Sequence, residues 1–157
     1  APDLSKKHQL EFGLGWGWLG AIAWGGSTEG GFYPAIGLGW LNIPMMYHHR
    51  WSPLLAFGGG LQITLLFASG AVGGSANAVG GVRIYAIKDF LWFDANILLG
   101  FPIIFGLAPA IGHTFMFTEK IGLQVKNEFM LGFLPSFFGD SPVLFTWITS
   151  VALEIRF

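Results

Sequence analysis

Residues 9–19, QLEFGLGWGWL, alternate without a break. Leu10, Phe12, Leu14, Trp16 and Trp18 fall on one side, with Gln9, Glu11, Gly13, Gly15 and Gly17 on the other. A period of two over eleven residues is a strand signature, because successive side chains of an extended chain point to opposite faces. The pattern returns in LWFDANILLGF (91–101), where Asp94 and Asn96 oppose Leu91, Phe93, Ala95, Ile97 and Leu99. It returns again in LQVKNEFMLGF (123–133), where Gln124, Lys126 and Glu128 oppose Leu123, Val125, Phe129 and Phe133, with Asn127 the one misfit. The apolar side of such strands has two destinations, a sandwich core or lipid. With bulky aromatics on one side and glycine plus charge on the other, the bulky side faces outward, as in a membrane barrel.

Composition points the same way. The 157 residues are 53% hydrophobic and only 11% charged, with 24 Gly, 16 Phe and 7 Trp and a mean hydropathy of +0.59. A soluble domain does not carry that balance, so the surface belongs in lipid. The net charge of −1 gives no reason to expect nucleic acid as a partner, and without Cys there is no disulfide or thiolate site. The chain starts at APDLSKKHQ without Met, which fits a mature chain whose signal peptide has been cleaved, or a trimmed one. Helices are the competing reading. Stretches 51–82 and 95–118 lack charge and exceed the roughly 20 residues a spanning helix needs. The first, however, holds eight glycines and the second holds Pro102 and Pro109, a density that helices tolerate poorly.

The expected fold is therefore all-β: a single domain, 1–157, forming an eight-stranded antiparallel up-and-down transmembrane β-barrel. Its strands are expected at 8–20, 33–43, 54–67, 76–87, 90–101, 106–117, 121–134 and 143–157. IKDF and TEK are short polar turns for the periplasmic side. IPMMYHHRWSP (43–53) reads as a longer periplasmic connection, with Tyr47, His48, His49, Arg50 and Trp51 in the headgroup zone. The segments around 21–32, 68–75, 102–105 and 135–142 are the expected extracellular connections, short and aromatic enough to lie on the outer leaflet.

The end of the chain, TSVALEIRF, alternates Val151, Leu153, Ile155 and Phe157 with Glu154 and Arg156. This resembles the C-terminal signal of bacterial outer-membrane β-barrels, in which the assembly machinery reads a final strand ending in an aromatic residue. The resemblance implies location in the bacterial outer membrane and that machinery as a partner, with Phe157 as the assembly signal. It implies no activity.

An eight-stranded barrel is just wide enough for side chains to fill, so the inward residues decide its character. The charged ones crowd toward the periplasmic half: Glu11, Arg83, Asp94, Lys126, Glu128, Glu154 and Arg156, joined by Tyr85, Asn96 and Gln124. Isolated charges there would be costly, so they are expected to pair into a plug. The outer half offers Gly13, Gly15, Gly17, Ala35, Gly37, Gly60, Ala108, Ala110, Gly112, Met130, Gly132, Leu144 and Ile148. Glycines at such positions permit barrel curvature. They also suggest an apolar pocket for a hydrophobic ligand, with Gly13, Gly15, Gly17, Gly37, Gly60, Gly112, Met130, Gly132, Leu144 and Ile148 as its candidate lining.

Small outer-membrane barrels include lipid A palmitoyltransferases and deacylases, so catalysis has to be weighed. His113 points outward in GHTFMF, with Val125 and Asn127 as expected neighbours and Thr149 beyond. No serine or outward carboxylate accompanies it, so the nucleophile–base–orienter arrangement is incomplete. The remaining histidines, His8, His48 and His49, lie outside the expected extracellular loops. His48 and His49 are adjacent on one strand, so they face opposite ways and form no metal site. The expectation is a monomeric, non-enzymatic barrel without metal or cofactor, narrower than a general porin. It would have membrane lipid as its surroundings and a hydrophobic or lipid-like small molecule bound or passed through its outer half. The alternatives are a structural or surface-interaction barrel and an outer-leaflet lipid-modifying enzyme.

Overall fold

Alternation along the chain becomes a closed cylinder once every strand finds two neighbours. The computed structural model describes residues 7–25, 31–34, 39–68, 71–135 and 140–157. Its strands are β1 (His8–Gly25), β2 (Gly31–Pro34), β3 (Gly39–Arg50), β4 (Leu55–Ala68), β5 (Ala71–Ile87), β6 (Leu91–Phe101), β7 (Phe105–Met116), β8 (Ile121–Phe133) and β9 (Asp140–Arg156). Every pairing is antiparallel. From β3 to β9 each strand pairs with the next, and β1 closes the sheet by pairing with both β3 and β9. Short β2 pairs with the far part of β1, on the edge that β3 occupies nearer the start, so the cylinder has eight staves. Closure removes the exposed strand edges that an open sheet would leave.

Both described ends of the chain lie at one end of the cylinder, where His8 and Phe157 exchange backbone hydrogen bonds of 3.2 and 3.0 Å. That proximal end also carries the turns at 51–54, 88–90 and 117–120; Lys88, at φ 48°, adopts the left-handed conformation of the tight turn after β5. The outer wall is a continuous apolar surface. Leu14 (59% exposed), Leu61, Ile97, Leu99, Phe129 and Val151 all stand in it unburied, and such a surface is stable only in lipid. No helix among the described residues is long and apolar enough to cross a membrane.

Five connections differ from the sequence expectation. The segment expected as a connection at 43–53 is strand as far as Arg50. The polar and imidazole side chains there hid a period of two, in which Ile43, Met45, Tyr47 and His49 line the wall while Pro44, Met46, His48 and Arg50 are buried. Pro44 has no N–H to give, and the β1–β3 register is interrupted between Phe12↔Met45 and Gly15↔Asn42. A Cβ at Gly13 would come 2.9 Å from Pro44 Cγ, so the glycine makes room for the ring. Expected connections at 21–32, 68–75 and 135–142 are also shorter, because β1, β5 and β9 continue to Gly25, from Ala71 and from Asp140. Finally, the 102–105 connection does not stay outside: Ile103 folds into the barrel and is buried.

Candidate functional site: the two halves of the barrel interior

Inward positions of the proximal half hold a connected ionic network. Arg83 on β5 is its centre, 1% exposed. Its Nε and Nη2 donate to the two Asp94 oxygens at 2.7 and 2.8 Å, a bidentate pair between directly opposed residues of β5 and β6. Its Nη1 reaches across the lumen to Glu11 on β1. The guanidinium lies 3.5 Å from the centre of the fully buried Trp92 ring, and the indole Nε1 donates to Thr114 Oγ1 at 2.9 Å. Gln124 donates to Glu11 at 2.8 Å and also to Glu154, tying β8 to β1 and β9. Lys126 donates to Glu128 at 3.1 Å, and Gln62 on β4 donates to the other Glu128 oxygen at 2.9 Å. Arg156 pairs with Glu154. Asp94, Arg83, Glu11, Glu154 and Arg156 are thus joined into one set through Gln124; Lys126 and Glu128 form a second pair, and Tyr85 donates to Gln9 at 2.8 Å.

Sequence reasoning left out three members. His48 Nδ1 lies 3.1 Å from Glu11 Oε1, within ion-pair range. Arg50 is buried, with its guanidinium 4.1 Å from the Tyr85 ring centre. It donates to Pro53 O at 2.7 Å and pairs with Asp89 in the β5–β6 turn. Asp89 also accepts from Arg156 at 2.8 Å, so one partly exposed carboxylate bridges β3 to β9 across the proximal mouth. Burial opposes the charge on Asp89, but the hydrogen bond from Arg50 and the positive charge of Arg156 outweigh it and hold the carboxyl below the usual carboxylate range. The missed signal was local: once 43–50 is strand, parity sends His48 and Arg50 inward.

Beyond the ionic groups, the described interior holds an apolar cluster beside buried Asn42, Thr64, Asn77, Thr146 and Ser150. Met46, Val79, Leu98, Ile103, Ala108, Met130, Leu144 and Ile148 form one buried cluster, with Leu134 packed against it. The glycines expected to leave space instead face neighbours. A Cβ at Gly15 would come 2.8 Å from Ser150 Cβ and 3.0 Å from Ile148 Cγ2; one at Gly132 would come 3.0 Å from Ile103. At Gly60 it would meet the Met45 carbonyl, and at Gly112 the Trp92 ring. Gly58 faces His48 in the same way, and Gly81 faces Asn96. Three of these pairs, Gly58–His48, Gly81–Asn96 and Gly112–Trp92, are direct cross-strand partners in which the glycine gives up its side chain so that a larger one fits, the small–large alternation of small barrels. At Gly13, Gly15, Gly60, Gly112 and Gly132 this corrects the expectation of space. Gly17 is buried in β1, and Gly37 with Ala35 lies outside the described residues.

On the wall, His113 is opposite Val125 and lies 5.0 Å from the Phe90 ring. Thr149 donates to Asn127 Oδ1 at 2.7 Å. The described residues contain no group of three His, Cys, Asp or Glu side chains placed to hold a metal ion.

No protein-family model matches the chain, and no curated protein matches it in sequence. Its fold does match solved structures. The attachment invasion locus protein Ail of Yersinia pestis superposes with a TM-score of 0.57 at 10% identity, covering 96% of this chain and 99% of that one. The outer membrane protein OprG of Pseudomonas aeruginosa gives 0.54 at 10% identity, covering 97% and 96%. The chain is an eight-stranded closed antiparallel β-barrel of the kind found in bacterial outer-membrane proteins. At that identity the likeness defines the fold, and a fold of this kind hosts unrelated functions.

Proposed function

We propose that this chain is a sealed, non-conducting barrel of the bacterial outer membrane, whose role is exercised on its lipid-facing wall and distal rim. The observation that carries this reading is the Arg83–Asp94–Glu11 network together with the Asp89 bridge over the proximal mouth. Buried pairs of this geometry are fixed in place, because breaking one strands an uncompensated charge. They therefore act as a plug. Short turns in such barrels face the periplasm, which puts the plug on the periplasmic side. Membrane lipid is then the principal partner, and the assembly machinery acts through the final strand and Phe157. Reconstituted in planar bilayers, the protein is expected to give no steady ion current. A stable conductance would mean that the charges line a pore.

One observation favours a second reading, in which a hydrophobic or lipid-like molecule enters the distal half. Ile103, unlike the other members of the apolar cluster, sits on a connection and not on a strand. Its carbonyl accepts from Asn77 Nδ2 at 2.9 Å and its side chain rests on Gly132. A ligand would take the place of this one side chain. Binding of a fluorescent fatty acid that rises in Ile103→Ala and is weak in the parent supports this reading. No binding in either protein leaves the sealed barrel alone.

A further inference from the structure

At the proximal rim, on the lipid-facing side, four rings gather around the β1–β3 seam. His8 and His49 are direct register partners. The Arg50 N–H donates to the Lys7 carbonyl at 2.7 Å, a bond that flanks the pair and makes it a non-hydrogen-bonded one. In such pairs the Cα atoms approach most closely and the side chains lie nearest each other. The two imidazole centres are 5.0 Å apart with planes inclined by 50°. An imidazole nitrogen binds a transition ion at about 2.0–2.1 Å, so two rings on one ion at about 90–110° have centres roughly 4.5–5.2 Å apart. The observed spacing falls inside that range.

We propose that His8 and His49 form a two-imidazole site for a divalent transition ion of the Cu(II), Ni(II) or Zn(II) class. Imidazole nitrogen suits these ions, with Cu(II) held most tightly by a given nitrogen set. The surroundings fix the first ligand. His8 Nδ1 is 2.6 Å from the Tyr47 hydroxyl oxygen. When Nδ1–H donates to that oxygen, Nε2 keeps its lone pair for the metal, the outer-shell arrangement by which ligating histidines are oriented. The Tyr47 and Phe157 ring centres lie 5.9 and 5.6 Å from that of His8, with planes inclined by 26° and 19°, so two aromatic neighbours restrict the imidazole. Water or headgroup phosphate completes the coordination. A bound ion would pin β1 to β3 beside the mouth that Asp89 bridges.

The test uses the full chain without a histidine tag, folded in detergent and titrated with Cu(II). Electron paramagnetic resonance should show one ion per chain coupled to two imidazole nitrogens. His49→Phe keeps an aromatic ring at the rim but removes a ligand. It should lose more than the about tenfold that an outer-shell partner is worth, whereas Tyr47→Phe should lose about that much. His113→Phe, elsewhere on the wall, should bind as the parent does. The heat-dependent gel shift of a folded barrel checks each variant, and His49→Gln replaces any that fails it. Coupling to one nitrogen, binding unchanged in the His49 variants, or binding only at millimolar Cu(II) would overturn the site.

Discussion

The two halves of the barrel interior solve one packing problem by different chemistry. Proximally, long charged side chains reach across the lumen, where guanidinium, carboxylate and carboxamide groups bond to one another. Distally, an apolar cluster packs beside buried Asn42, Thr64, Asn77 and Thr146, and in both halves a glycine stands where a larger neighbour needs room. The comparison teaches that glycine on an inward face is half of a contact. Gly112 has to be read with Trp92, and Gly132 with Ile103, before it says anything about space. The ionic half depends on every member being present, whereas the apolar half depends on volume.

Perturbing each half in turn sharpens that contrast. The largest effect is expected from Arg83→Ala, which leaves Glu11 and Asp94 buried without their shared cation. Loss of one member of a buried pair costs about 3–5 kcal/mol, to be read as a shift in the urea unfolding transition of the folded barrel. A smaller loss in Arg83→Ala than in any glycine variant would reverse the comparison. In the apolar half, Gly15→Leu should overpack against Ser150 and Ile148 at a cost of about 1–3 kcal/mol. Unchanged stability would reveal volume beside Gly15 and revive a pocket there. The smallest effect belongs to Asp89, which is partly exposed at the mouth. Its carboxyl is held below the value of the unfolded chain, so its contribution is complete above about pH 4 and fades as pH falls through the lower folded value. Asp89→Asn should therefore weaken the barrel at pH 7 and flatten part of its loss of stability in acid. Identical acid profiles for Asp89→Asn and parent would show that the bridge over the mouth contributes nothing.

Much of the barrel was legible along the chain. QLEFGLGWGWL, LWFDANILLGF and LQVKNEFMLGF each assign their residues to wall or interior, and the buried positions of β6, β7 and β8 follow that parity. Legibility failed where polar residues stood on both faces. Tyr47, His48, His49 and Arg50 looked like a headgroup loop because neither parity of that run is apolar, yet Tyr47 and His49 line the wall while His48 and Arg50 are buried. Asp89 was read as part of a polar turn, and nothing local says that it reaches two arginines on other strands.

The sequence by itself determined the class of fold and, in the alternating segments, the direction of the described side chains. Alternation is a property of neighbours along the chain, and lipid outside a barrel makes the bulky apolar parity face outward. Only the tertiary structure decided which inward residues meet. Register and stagger are set by closing all eight staves at once, and a side chain's partner across the lumen is fixed by that closure. For that reason His48 and His49, which part ways as neighbours on one strand, each find a partner on β1: His48 meets Glu11 inside, and His49 meets His8 on the wall.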